Sequence, residues 1–118
     1  MVLIDTSVWI SHFRARDAVL AGRIVARQAV THPFVIGELA AGQIPARTET
    51  LLLLSRLPGV ILADHDDVMM MVEAQRLYGR GLSWVDLHLL ASARLSRVKL
   101  HSLDRKLMDA ADALGVRA

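Results

Sequence analysis

The 118-residue chain contains no cysteine, which excludes disulfides and thiolate metal sites. It has no uninterrupted apolar run near the ~20 residues that cross a bilayer. Its first residues show neither the basic segment nor the cleavage site of a signal peptide. A cytoplasmic protein with no membrane association is therefore expected, and a reducing compartment suits a cysteine-free chain. Repeats, low-complexity tracts and linkers are also absent, so one domain over residues 1–118 is expected. Lysine is scarce, since twelve of the fourteen basic residues are arginine, and the net charge is only +2. That balance permits a phosphate-bearing partner without demanding one. What the chain has in plenty is apolar side chains, 53% of residues with a mean hydropathy of +0.37. The surplus predicts that some apolar surface faces a partner.

The order of segments is strand, helix, strand, helix. Val2, Leu3 and Ile4 form a short continuous apolar run, the pattern of a strand buried on both faces. Helices are expected over 5–14 and from Asp17, then a short strand at 29–31. Pro33 opens a third helix, and another spans 47–56, with Pro58-Gly59 as its stop. A strand is expected at 60–63, followed by a helix begun by Asp64, Asp66 and Asp67. The Met69-Met70-Met71 run in that helix reads as adaptable packing. Gly79 and Gly81 bracket a turn before a helix over 82–93, a strand follows at 98–101, and a last helix runs to about residue 114. Alternation of this kind predicts an α/β fold with a parallel sheet.

Four acids stand out. Asp5 and Asp104 each directly follow a strand, where open α/β sheets carry their ligand sites. Both also sit where a helix N-cap is wanted. Glu38 is the only charge between Pro33 and Pro45; a buried carboxylate there would cost several kcal/mol without a partner, although exposure at a helix edge would remove the cost. Asp86 lies three residues after Ser83, the spacing of a capping box, and shares a helical face with Leu82, Leu89, Leu90 and Ala93. Four carboxylates without Cys or a close His pair form a hard-oxygen set that suits Mg²⁺ or Mn²⁺ and phosphoryl chemistry. Asp64, His65, Asp66 and Asp67 read instead as helix-start acids that complement the dipole.

The stretches Leu3-Ile4-Asp5-Thr6-Ser7-Val8-Trp9-Ile10, the mid-helix Glu38, Trp84-Val85-Asp86 through Ala91-Ser92-Ala93, and Ser102-Leu103-Asp104 resemble, in order and separation, the PIN-domain ribonucleases, specifically the short VapC toxin type. The resemblance covers essentially the whole chain. It implies a three-layer α/β/α domain with a central, mainly parallel sheet. It also implies Mg²⁺- or Mn²⁺-dependent endonucleolytic cleavage of RNA, with Asp5, Glu38, Asp86 and Asp104 as catalytic metal ligands. Ser7 and Ser102 would stand behind those ligands or touch phosphate; the family often has Thr at the place of Ser102. A small cognate antitoxin and a homodimer are further expectations. Arg14, Arg16, Arg80 and Arg105 are candidates for gripping the RNA backbone. Two rivals stay open, an aspartate-nucleophile phosphatase built on Asp5 and a non-catalytic RNA- or protein-binding module.

Overall fold

A computed structural model describes all residues, 1–118. Three strands, β1 (Val2–Ile4), β2 (Ala29–Val30) and β3 (Lys99–His101), form an all-parallel sheet in the order β2-β1-β3. Val2 pairs with both Ala29 and Lys99. Single parallel bridges extend the sheet at each edge, Thr31 to Gly59 beyond β2 and Leu100 to Arg117 beyond β3. The sheet thus grows outwards from β1 in one direction, then resumes on its other side at β3. Reversals of this kind create the crevice where α/β folds bind ligands, here between the carboxyl ends of β1 and β3.

Seven helices surround the sheet. They are α1 (Thr6–Arg14), α2 (Ala18–Val25), α3 (Pro33–Ala41), α4 (Arg47–Arg56), α5 (His65–Ala74), α6 (Trp84–Ser96) and α7 (Arg105–Ala113). Parallel crossovers are right-handed, so reversing direction moves the connecting helices to the other face. Accordingly α1 packs on α3 and α3 on α4, whereas α5 packs on α6 and α6 and α7 on β3. This is the expected three-layer arrangement. Leu3, Ile4 and Leu100 are completely buried at its centre, with Val8, Trp9, Val35, Leu54, Leu89, Leu90 and Leu107 around them. No helix is long and apolar enough to cross a membrane.

The expected strand at 60–63 does not form. The chain bridges β2 only at Gly59, and beyond Val60 its amides turn to helix α6: Ile61 N–H donates to Ser96 Oγ (2.7 Å) and Ala63 N–H to Ser92 Oγ (3.1 Å). Two serines one turn apart on α6 replace the strand partner, and Ile61 and Leu62 stay exposed. The methionine run divides, with Met71 buried and Met69 and Met70 exposed. Asp17 and Asp64 cap α2 and α5, and Asp64 forms a capping box with Asp67.

Candidate active site

Asp5 occupies the N-cap position of α1, yet its carboxylate makes no capping hydrogen bond. Its Oδ2 accepts instead from two hydroxyls, Ser7 Oγ and Ser102 Oγ, each at 2.7 Å. Both hydroxyls are oriented in turn by backbone amides. Leu103 N–H donates to Ser7 Oγ and Asp104 N–H to Ser102 Oγ, each at 3.0 Å. With those oxygens already accepting, the hydroxyl protons are free to point at Asp5. The assembly ties the segment after β1 to the segment after β3, which Asp5 N–H reinforces by donating to the His101 carbonyl (3.0 Å). Asp5 is 8% exposed and Ser102 4%, so a buried carboxylate is fixed here by hydroxyl donors, as burial requires.

Asp86 stands in the first turn of α6 and does two things. Its Oδ2 accepts from Ser83 N–H (2.9 Å) while Ser83 Oγ accepts from Asp86 N–H (3.0 Å), a complete capping box. Burial pushes its carboxyl above the usual range, the Ser83 hydrogen bonds oppose that, and the nearby Asp5 and Asp104 carboxylates add to the rise. Asp104 caps α7 through Oδ1, which accepts from Lys106 N–H (2.9 Å) and Leu107 N–H (3.4 Å). The carboxylates that follow β1 and precede α7 therefore both act on Asp86 in the first turn of α6.

Glu38 is placed differently from the expectation of a carboxylate sunk in apolar surroundings. It is exposed on α3, so it carries no large desolvation cost, and its Oε1 accepts from Thr6 Oγ1 (2.7 Å). Thr6 adjoins Asp5, so Glu38 is moored to the rim of the same crevice. It shares a cleft of about 340 Å³ with Ile10, Phe13 and Arg14. Of the four candidate arginines only Arg14 lines a cleft with one of the acids; Arg16, Arg80 and Arg105 are exposed. Sequence reading passed over Lys106, whose side chain lies across the turn at Gly81, its Nζ only 3.0 Å from where a Cβ there would sit. Its nearness in sequence to Asp104 was the only available signal.

No three His, Asp or Glu side chains close around a common point at which a metal ion could sit. The donor set nevertheless fits a hard divalent cation. It is all oxygen, Asp5 and Asp86 have each engaged only Oδ2 and Asp104 only Oδ1, and a positive ion would offset the burial, and the smaller repulsion from Asp5 and Asp104, that raise the Asp86 carboxyl. The position at which an aspartate-nucleophile phosphatase needs a second acid holds Ser7, which donates to Asp5.

Comparison with known proteins agrees with the fold. The family model described as PIN domain matches residues 2–113. Two proteins, each named Ribonuclease VapC32, from Mycobacterium tuberculosis strains CDC 1551 / Oshkosh and ATCC 25618 / H37Rv, are similar to this chain. Each is 44% identical over 117 residues, covering 98% of this chain and 94% of its own.

Proposed function

The chain belongs to the PIN-domain family, and from that premise we propose that it is an endoribonuclease that hydrolyses RNA phosphodiester bonds with a divalent cation, and that it acts as the toxin of a toxin–antitoxin pair. The observation that carries the reading is the gathering of Asp5, Asp86 and Asp104 at the switch point of the sheet, near enough that Asp5 and Asp104 add to the effect of burial on the Asp86 carboxyl. A binding module has no use for like charges converging at the mouth of a crevice. Anionic RNA would also be repelled from such a mouth unless a cation intervened. The similarity to proteins named ribonuclease supports RNA as the substrate.

Asp5, Asp86 and Asp104 would hold Mg²⁺ or Mn²⁺, with Glu38 at the rim. When bound, the cation neutralises phosphate charge and lowers the pKa of water, so that hydroxide is available near neutral pH. The protein's own part is positional. Ser7 and Ser102 hold Asp5 Oδ2 in one orientation, and their amide donors make that orientation independent of solvent. Hydrogen-bonded supports of this kind are worth roughly 10–100-fold in metal affinity or activity. Thr6 holds Glu38 Oε1 towards the crevice. Arg14 and Lys106 offer cations for flanking phosphates. In-line attack of water on phosphorus would break the P–O3′ bond and leave 5′-phosphate and 3′-hydroxyl ends.

The exposed Leu52, Leu53, Ile61, Leu62, Met69 and Met70 support apolar interfaces for an antitoxin and a second copy of the chain. The reading is tested with purified, partner-free protein and a structured RNA pool, in Mg²⁺, Mn²⁺ or EDTA, beside Asp5→Asn and Glu38→Gln. Metal-dependent cutting lost in the folded variants is expected. Cutting that survives in EDTA, or in both variants, would refute it. RNA binding indifferent to metal and without cleavage would favour a non-catalytic module.

A further inference from the structure

Five aromatic and imidazole rings from distant parts of the chain meet beside the acidic crevice. His32 packs on Phe34 with ring centroids 4.9 Å apart, Phe34 on His88 at 4.8 Å, His88 on Trp84 at 4.8 Å, and Trp84 on His65 at 5.2 Å. They come from the first turn of α3 or its cap, the first turns of α5 and α6, and one residue a turn further along α6. Burial alternates along the row. His32 and His88 are 2% and 7% exposed, whereas Phe34 and Trp84 are each 40% exposed and His65 is open to solvent. Core rings would be covered throughout, and these are not.

From this arrangement we infer that Phe34, Trp84 and His65 form a stacking platform for unpaired bases of a single-stranded RNA whose backbone enters the acidic crevice. The inference rests on the nuclease reading and supplies what that reading lacks, a contact to bases. Three features select RNA bases over a peptide. First, the platform is continuous with the acids. Phe34 and Glu38 are four residues apart on α3 and hence neighbours on one face. Second, the N-terminal end of α3, which has no acid in its first turn, opens at Phe34, and such ends attract phosphate. Third, the exposed apolar surface of this cluster is made of flat rings, with Phe34 and Trp84 each 40% exposed, and not of aliphatic chains. Any base offers a π-face, so single-strand binding on aromatic platforms tolerates sequence. His32 and His88, being buried, serve as the backing that fixes Phe34 and Trp84.

The test uses the full-length Asp5→Asn protein in Mg²⁺, so that RNA is not consumed, with fluorescein-labelled twelve-nucleotide oligouridylate and oligoadenylate as probes. Phe34→Leu and Trp84→Leu keep apolar bulk but remove the π-face; Trp84→Phe restores one. Each Leu variant is expected to weaken binding about tenfold while retaining the parent's circular dichroism, and Trp84→Phe to recover most of the loss. RNA should quench tryptophan emission in the parent but not in Trp84→Phe, where only the buried Trp9 remains. An abasic oligonucleotide with the same phosphates should bind the parent and both Leu variants equally. Unchanged affinity in the folded Leu variants, or a loss that persists with the abasic probe, would overturn the platform. Failure of the nuclease reading is separate: the unmutated protein would then bind these probes through the rings but leave RNA uncut in Mg²⁺ and Mn²⁺.

Discussion

His32 makes the stability of the fold sensitive to acid. Its Nδ1 accepts from Phe34 N–H (2.9 Å) and so caps α3, which places the ring's proton on Nε2. That Nε2 is buried without a hydrogen-bond partner, and the residue is 2% exposed. Protonation would put a charge in the interior and destroy the cap's acceptor. Burial, with a smaller contribution from His88, therefore lowers its pKa from 6.5 to about 4. Because the folded value is depressed, the unfolded chain binds more protons between those two values. The stability contributed is complete above about pH 6.5 and disappears as pH falls towards 4. One pKa unit corresponds to about 1.4 kcal/mol, so lowering the pH from 7 to 5 should cost about 2 kcal/mol through this residue alone. For a domain of this size that is a fall in Tm of roughly 8 °C. Urea unfolding at both pH values, in EDTA, measures it. His32→Asn keeps an acceptor suited to the cap but has nothing to titrate. It should be less stable than wild type at pH 7 yet lose about 2 kcal/mol less on acidification. An equal loss in both proteins would show that His32 is not the group responsible.

Other perturbations follow from the same geometry. Asp5→Asn should reduce cleavage at least about 100-fold in a single-turnover RNA assay while the protein stays folded by circular dichroism; near-wild-type cutting would remove Asp5 from the chemistry. Ser102→Ala takes a donor from Asp5 and an acceptor from Asp104 N–H, and should lower activity about 10–100-fold and stability by about 1–3 kcal/mol, read by metal titration of activity and by urea unfolding. Ser83→Ala breaks the cap of α6 and should cost about 1 kcal/mol in the same unfolding assay. The folded pKa of Asp86 is raised above its ordinary 3.8, so its contribution to stability is lost as pH rises from that value. Asp86→Asn should accordingly raise Tm at pH 7 in EDTA and lose that advantage when Mg²⁺ is added, since saturation at 100 Kd stabilises the wild type by about 2.7 kcal/mol.

Much of the fold was legible because its strands and helices carry local signals. Val2, Leu3 and Ile4 are continuous and apolar, and Asp17, Asp64, Ser83 and Asp104 cap the helices they precede. The strand expected at 60–63 failed because apolar composition cannot reveal that Ser92 and Ser96, some thirty residues on, take its amides. For Glu38 the apolar sequence around it predicts a burial that the structure does not show. Its helix is apolar, but its own face is exposed and its partner is Thr6. The Ser7–Ser102 pairing spans 95 residues, and the ring platform draws on residues 32, 34, 65, 84 and 88. No local periodicity encodes either, since both exist only once the strands are in order.

Asp5 and Asp104 show why sequence alone leaves such a site ambiguous. Each follows a strand and precedes a helix, so each could cap, bind or do both. The structure separates them by what their oxygens touch. Asp104 gives Oδ1 to the amides of α7, whereas Asp5 accepts from no amide of α1 and is held by two hydroxyls, Ser7 in the first turn of α1 and Ser102 beyond β3. A carboxylate kept for capping alone would be free to rotate onto its helix. Holding it off those amides forgoes about 1 kcal/mol of cap stabilisation, and setting it near Asp86 adds to the rise of that carboxyl. Local choices that oppose stability in this way concentrate at functional sites. Here the opposing choices converge between the carboxyl ends of β1 and β3, the position in the strand order at which open α/β sheets generally bind ligands.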